Sequence, residues 1–263
     1  MSPRTGADIL ISPPDRRAAK ARGDHVTPSI TRPDRLHLGC GDTTPASWLN
    51  VDGSWTLRLA KHPTLFRALG AVRLLPRHVR GRTYNRDVFV HDLRKPLPFA
   101  DNSFSAVYSS HTLEHMHLSE TQQLLRECHR ILRPGGSARM VVPDLESLVQ
   151  EYLGQRRIPG FEGHFEPHTP ADRMMRNLLM RPWTPVPAGL LYRTYSAMTD
   201  LHSHKWMFDA QSLSYHMQEA GFTGVRRREF RDTAIAGGVD EVEKPERVLD
   251  GRGVCVEGTK PAQ

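Results

Sequence analysis

Two glycines and two carboxylates follow one another in an order that suits a nucleoside site. Gly39 and Gly41 end a short apolar run, Asp52 ends a second run, and Asp92 ends a third. Glycines after a strand let the backbone approach a ligand closely, and an acid after the next strand can accept hydrogen bonds from a ribose diol. Each feature alone is common in turns, but the three in succession predict a nucleoside pocket at the carboxyl edge of a sheet.

A second set of residues that could do chemistry follows a fourth apolar run. His111 comes directly after Ser109 and Ser110 there, and a neutral imidazole can act as a base near neutral pH. His202 and His204 lie further along the chain as substrate contacts or alternative bases. We expect His111 and His204 to be catalytic, although hydrogen-bonded structural histidines would give the same pattern.

The segment His111-Thr-Leu-Glu-His115 also matches the H-x-x-E-H spacing of certain zinc peptidases. In those sites two histidines bind the metal and the glutamate acts as the base. Here the segment follows a predicted strand directly instead of lying within a long helix, and cap or packing roles are the stronger explanation of Glu114 and His115. The sequence therefore predicts no metal site.

These residues need a scaffold, and the chain alternates strands with helices. We predict strands at 34–38, 48–52, 87–92, 104–109, 138–142, 225–230 and 254–258. Ser119 and Gln122 have the spacing of a capping box, so a helix is predicted from Ser119 to the residues before Pro134. A second helix is predicted at 211–220. The alternation favours an α/β fold with a mainly parallel sheet and helices on both faces.

Composition and cysteine usage narrow the class of protein. The chain has 263 residues, of which 38% are hydrophobic and 25% charged, so collagen-like, disordered and disulfide-scaffold classes are excluded. We expect a flexible basic arm at 1–33 and one domain at 34–260, with cap segments at about 53–86 and 151–205. No apolar run approaches the roughly 18–20 residues of a membrane span, and three widely spaced cysteines favour a reducing cytoplasm.

The net charge of +7 is concentrated in one segment. Residues 53–98 contain ten basic and two acidic residues. Leu65, Phe66, Leu69 and Val72 recur there at helical spacing, which predicts a basic amphipathic helix. That helix either exposes a solvated basic face or forms a cap that attracts an anionic acceptor. Six aromatic residues could form the acceptor wall or belong to the core: Phe161, Phe165, Trp183, Tyr192, Tyr195 and Trp206.

Several segments together resemble the class I S-adenosylmethionine-dependent methyltransferases, within the broad group that includes ubiquinone-type and polysaccharide-cluster enzymes. The resemblance begins with Leu36-His-Leu-Gly-Cys-Gly-Asp42, Leu49-Asn-Val-Asp52 and the run from His91 to His115. It continues through Glu127–Gly136, Val141–Asp144, His204–Asp209 and Glu219–Phe222. It covers about Arg35 to Lys260, which is nearly all of the chain except the arm.

The resemblance implies a three-layer Rossmann-like fold, with a seven-stranded, mostly parallel sheet, an antiparallel last strand at 254–258 and helical cap insertions. It also implies S-adenosyl-L-methionine as cofactor, with the glycines along its methionine part, Asp52 at the ribose hydroxyls and Asp92 with Leu93 at the adenine. Ser109, Ser110 and His111 would lie beside the sulfonium. The implied cofactor-binding residues are Leu38, Gly39, Cys40, Gly41, Asp52, Asp92, Leu93, Ser109 and Ser110.

Three departures from the family pattern bear on cofactor affinity. His37 stands where many relatives have an acid, and Thr43 replaces the third glycine of the longer pattern. Asp52 follows Gly41 by only eleven residues, against about twenty between fingerprint and acid in dinucleotide folds. The first crossover must therefore be short.

The leading function is methyl transfer from S-adenosylmethionine to a small-molecule, sugar or natural-product acceptor, at oxygen rather than nitrogen. A sequence pI near 9.6 favours an RNA- or DNA-directed methyltransferase, but Ser109-Ser-His111 stands where base-amino enzymes carry Asn or Asp, two prolines and an aromatic. No nucleic-acid module is recognisable, so a nucleic-acid partner is disfavoured. A catalytically silent methyltransferase-like binding protein is the third alternative. The acceptor and the oligomeric state stay open.

Overall fold

A computed structural model describes residues 33–71, 85, 87–159, 169–180 and 203–262. The predicted arm up to residue 32 lies outside the described residues, as do His202, Val72 and all the wall aromatics except Trp206. Five of the ten basic residues predicted in the 53–98 segment also lie outside: Arg73, Arg77, Arg80, Arg82 and Arg86. The division into an arm, a domain and two caps stays a prediction.

Seven strands form one sheet within the described part of the chain. They are β1 Arg35–Leu38, β2 Leu49–Asp52, β3 Phe89–Val90, β4 Phe104–Ser110, β5 Leu132–Pro143, β6 Thr223–Arg228 and β7 Gly253–Thr259. Their spatial order is β3-β2-β1-β4-β5-β7-β6. Strands β1 to β5 pair in parallel, whereas β7 runs antiparallel to both β5 and β6. The predicted seven-stranded, mostly parallel sheet with an antiparallel last strand is confirmed.

The strand order reverses between β1 and β4, and this reversal places the carboxyl ends of four strands together. Leu38, the last residue of β1, pairs with Val51 of β2 on one side and with Ser109 of β4 on the other. The chain leaves β2 and β4 in opposite directions across the sheet. In open α/β sheets such a switch point opens a crevice beyond the strand ends.

The helices described are α1 Trp55–Ala60, α2 Pro63–Ala71, α3 Leu118–Ile131, α4 Leu145–Tyr152, α5 Pro170–Leu178, α6 Ala210–Glu219 and α7 Pro245–Val248. The predicted start of α3 was wrong. The capping residue is His117, whose backbone N–H donates to Glu120 Oε2 at 2.8 Å. Because that carboxylate satisfies the first amide, the helix starts one residue before Ser119. Gln122 instead contacts His216.

Both faces of the sheet are covered, which gives the expected three layers. On one face, α3 and α6 bury Leu124, Leu125 and Leu213 against strand residues such as Leu36 and Val107. On the other face, Trp48, Ala106, Tyr108, Val141 and Cys255 pack under residues of the 235–248 segment. Burial of the strands on both faces explains why they appear in sequence as apolar runs without alternation.

Two further predictions are corrected by the structure. Strand β3 comprises only Phe89 and Val90, so Asp92 lies in the loop beyond it and not in a strand extending to 92. Helix α2 forms where a basic amphipathic helix was predicted, but none of its residues is buried and Leu65 is 48% exposed. Among the described helices, none is long and apolar enough to cross a membrane.

Candidate functional site

A cavity of about 420 Å³ opens at the carboxyl ends of β1 to β4, within the range of small-molecule sites. Eight of the predicted site residues line it: Gly39, Cys40, Gly41, Asp52, Asp92, Leu93, Ser110 and His111. Leu38 and Ser109 are buried in their strands beneath it. His204 does not line the cavity but lies behind His115, which does, with the two rings 5.0 Å apart.

The turn after β1 forms an open cradle. Gly39 and Gly41 have φ values of 66° and 54°, in the left-handed region that favours glycine. A Cβ on Gly39 would overlap the Thr112 side chain, so only glycine allows the backbone to pass this close to Thr112. A Cβ on Gly41 would meet no protein atom within 4 Å and would project into space beside the cavity. The backbone here can therefore lie directly against a ligand.

Asp52 is fixed at the edge of this cradle by two backbone amides. Gly41 N–H donates to Oδ2 at 3.0 Å and Ser54 N–H donates to Oδ1 at 2.7 Å. A carboxylate offers about four acceptor positions, so these two bonds orient the group and leave acceptor capacity for a diol. The short connection between Gly41 and Asp52 is what brings the amide to the carboxylate.

Asp92 lies in the cavity wall but is already paired. Arg94 Nε and Nη2 donate to its two oxygens at 2.8 and 2.9 Å. Hydrogen bonding to Arg94 lowers the pKa of Asp92, so the carboxylate is ionised. The pair places a guanidinium at the cavity, a feature that sequence reasoning missed although the two residues are neighbours.

His37 and Cys40 contribute uncharged groups to the wall. Burial lowers the pKa of His37 to about 4, and its ring lies 5.4 Å from that of Tyr108. Burial raises the pKa of Cys40 to about 12, so its thiol is not a nucleophile at neutral pH. His37, at the position where the family resemblance implies an acid, is therefore neutral.

His111 lies at the end of β4 in a strained conformation, with a φ of 51°. Such values cost free energy for residues other than glycine and cluster at functional sites. Its Nε2 is 2.9 Å from the carbonyl oxygen of Arg247, and its Nδ1 is 3.3 Å from Glu114 Oε1. Both partners are acceptors, so a lone pair on either ring nitrogen would face an acceptor oxygen in this arrangement. Action as a base requires the ring to leave the Arg247 carbonyl.

Three lining residues come from the far end of the chain, and sequence reasoning missed them. Val242, Lys244 and Arg247 belong to the segment around α7. Lys244 Nζ is 3.6 Å from Asp42 Oδ1. Nothing local in the sequence links these residues to the glycine turn. The cavity is thus lined by three cationic side chains, those of Arg94, Lys244 and Arg247. It is also lined by three carboxylates, those of Asp42, Asp52 and Asp92.

Comparison with known proteins gives a consistent match over this part of the chain. Residues 36–140 match the family model described as "Methyltransferase domain". An uncharacterized methyltransferase of Synechocystis sp. is 30% identical over 106 residues, which are 40% of this chain and 45% of that protein. Methyltransferase GfsG of Streptomyces halstedii is 28% identical over 111 residues, 42% of this chain and 37% of its own. The chain thus matches less than half the length of these curated relatives.

Solved structures also align with most of the chain at low identity. A SAM-dependent methyltransferase from Thermotoga maritima is 19% identical, covers 86% of this chain and 81% of its own, and has a TM-score of 0.43. The matched family region contains the glycine turn, Asp52, Asp92 and His111, and Lys244 and Arg247 lie outside it.

Proposed function

We infer from the methyltransferase-domain match over residues 36–140 that the chain is a class I S-adenosylmethionine-dependent methyltransferase. On that premise we propose that it methylates a small-molecule, sugar or natural-product acceptor at oxygen. The cofactor supplies an electrophilic methyl group on a sulfonium. The observation that carries the proposal is the open cradle at Gly41 beside the anchored Asp52 carboxylate. Both residues line the same cavity wall. Gly41 has no side chain to block a ligand, and the Asp52 carboxylate is already oriented to accept hydrogen bonds from the ribose diol of this cofactor.

We further propose how the wall residues divide the cofactor. The backbone of Gly39 to Gly41 would lie along the methionine part, Asp52 would accept from the ribose hydroxyls, and Leu93 would face the adenine. Because the Asp92 carboxylate is bound to Arg94, its contribution would be to hold the Leu93 loop rather than to bind the base directly. Ser110 and His111 would border the reacting methyl.

An anionic acceptor fits the charge at this end of the sheet. Arg94, Lys244 and Arg247 line the cavity, and Arg58 and Lys61 belong to α1 and its C-terminus. The exposed apolar residues of α2 leave this helix available to cover an acceptor. Trp206 is 42% exposed, so it is not a core residue. A compact anion at the cavity mouth explains a charge surplus confined to one segment better than a long nucleic acid does.

We propose His111 as the base for an acceptor hydroxyl. Its Nε2 would take the proton once the contact with the Arg247 carbonyl opens, and Glu114 at Nδ1 would stabilise the resulting imidazolium. Holding acceptor and methyl in line supplies much of the rate in such a displacement. If His111→Ala binds cofactor normally and keeps the transfer rate within a few-fold, the base assignment is wrong.

Calorimetry with S-adenosylmethionine separates an active site from a silent fold. We expect micromolar binding by the wild type and a loss of about tenfold to a hundredfold in Asp52→Ala, because hydrogen bonds to a charged group contribute about 1.5–3 kcal/mol. Asp87→Ala, at an exposed position in the loop before β3, is the matched control. Equal affinity in wild type and Asp52→Ala would contradict the cofactor assignment.

The methyl acceptor can be identified by following the labelled methyl group that the protein transfers. Incubation of the protein with labelled cofactor and extracts of its source, followed by mass spectrometry, should show one labelled anionic small molecule. Label in RNA or DNA, with binding that falls steeply with salt, would favour the nucleic-acid alternative. We also propose a reducing, cytoplasmic setting, since Cys40, Cys128 and Cys255 are all buried and free.

A further inference from the structure

We propose that Glu114, His115 and His204 form a binding site for a divalent transition-metal ion, best suited to Zn²⁺, next to the cofactor cavity. The site does not depend on the proposed methyl transfer. Glu114 and His115 belong to the 3₁₀ turn Leu113–His115 after β4, and His204 comes from the segment that precedes α6. The tertiary structure thus adds a third donor to the histidine and glutamate of the H-x-x-E-H segment.

The donor atoms converge. One atom from each residue, a carboxylate oxygen and two imidazole nitrogens, lies within 4.8 Å of the others. Donors that each sit about 2.1 Å from one zinc ion can be up to about 4.2 Å apart. Small side-chain rotations would therefore close the three around an ion. Two histidines and one glutamate make a donor set that zinc uses in proteins, with a fourth position left to another ligand.

The polar atoms of this cluster lack partners that their burial calls for. Glu114 is 0% exposed, and apart from a weak contact with His111 its carboxylate oxygens accept no hydrogen bond from the described residues. His204 is 6% exposed, and its Nδ1 has no hydrogen-bond partner in the described part of the chain. A buried charge or polar group without compensation costs free energy. The His111 contact is made by Nδ1, which lies 3.3 Å from Glu114 Oε1. A bound cation would satisfy both Glu114 and His204.

The backbone holds the two contributing segments together. The amides of Lys205 and Trp206 both donate to the Glu114 carbonyl oxygen, at 2.7 and 3.3 Å. Lys205 Nζ donates to the His115 carbonyl oxygen at 3.2 Å. These bonds keep the 3₁₀ turn and the 203–206 segment in one arrangement whether or not an ion is present. The donor positions are consequently set before binding.

The His115 ring is oriented as metal-bound imidazoles are. Its Nδ1 lies 3.3 Å from the carbonyl oxygen of Ser203. A backbone carbonyl on one ring nitrogen is the arrangement that orients many metal-bound imidazoles. Because His115 also lines the cavity, an ion would fix a wall residue of the cofactor site, and the fourth position would fall to water.

Zinc binding by the full chain, free of any affinity tag and stripped with EDTA, tests the site. We expect wild type to bind one equivalent of Zn²⁺ at this site with micromolar or tighter affinity, measured by competition with a chromophoric chelator. Glu114→Gln and His204→Ala should each weaken it at least about tenfold to a hundredfold. His216→Ala, a partly buried histidine on α6, is the matched control and should bind as wild type does.

Two further readouts keep the test independent of enzyme activity. Co²⁺ should give the visible absorption of a tetrahedral site in wild type and lose it in both variants. Zinc should raise the thermal unfolding midpoint of wild type but not that of Glu114→Gln, which keeps the side-chain volume, because only a ligand bound to the native state stabilises it. Zinc affinity that is equal in wild type and both variants, or absent from wild type, overturns the proposal.

Discussion

Two buried charged clusters, one around Arg139 on β5 and one around Glu114 in the turn after β4, differ in how fully their groups are paired. Arg139 on β5 is completely buried and makes five hydrogen bonds. Glu243 accepts from it at 2.7 and 3.0 Å, Glu257 at 3.4 Å, and two backbone carbonyls at 2.7 and 2.8 Å. The backbone N–H of Arg231 also donates to Glu243, and the backbone N–H of Ala234 donates to Glu257.

The cluster around Glu114 has no comparable set of bonds. Glu114 is equally buried, yet its carboxylate has only His111 at 3.3 Å, and His204 leaves a nitrogen unpaired among the described residues. Fully paired charges fix the fold around β5, β7 and the 229–243 segment. Buried polar groups without hydrogen-bond partners require an explanation in a native structure. Beside a cavity, such groups can still bind a ligand. We infer that the first cluster is structural and the second serves the site.

The largest effect is expected from Arg139→Ala. Removing one partner of a buried pair leaves Glu243 without its cationic partner, so the free energy of unfolding should fall by about 3–5 kcal/mol. Urea unfolding followed by circular dichroism measures it. Arg227→Ala, an exposed arginine on β6, should change stability by less than about 0.5 kcal/mol. Equal losses in the two variants would remove the structural role of the cluster.

A matched pair of isosteric changes compares the clusters directly. In EDTA, Glu243→Gln should lower the free energy of unfolding by about 2 kcal/mol, because it weakens several hydrogen bonds to a charged group. Glu114→Gln should lower it by less than about 1 kcal/mol, since only the weak contact with His111 is affected and a buried charge is removed. A larger loss in Glu114→Gln than in Glu243→Gln would show that the second cluster is as structural as the first.

Acid should distinguish the clusters by a smaller amount. Burial lowers the pKa of His204 to about 4, so between pH 6.5 and 4 the unfolded chain binds a proton that the folded chain excludes. The free energy of unfolding therefore falls as the pH drops below 6.5. For His204 the loss is about 1 kcal/mol at pH 5.5. Thermal unfolding in EDTA at pH 7.5 and 5.5 measures it. His204→Gln should show a shallower dependence on pH, whereas an unchanged one would contradict the assignment.

Much of the scaffold and half of the cavity follow from local sequence. Apolar runs, their spacing and the glycines predicted the turn that contains Gly39 and Gly41 and the strand that ends at Asp52, because strand and turn preferences act over a few residues. The same locality explains the errors. The capping residue of α3 depended on whether Glu120 or Gln122 reached an amide, and β3 shortened to two residues although its sequence allowed more.

The rest was decided when distant segments packed together. Lys244 and Arg247 reach the cavity because the 235–248 segment covers one face of the sheet beside the switch point. His204 reaches Glu114 because its segment is hydrogen-bonded to the turn after β4, some ninety residues earlier in the chain. Residue types and spacing encode strands, turns and charge, but the approach of side chains so far apart depends on strand order and packing, which no local pattern records.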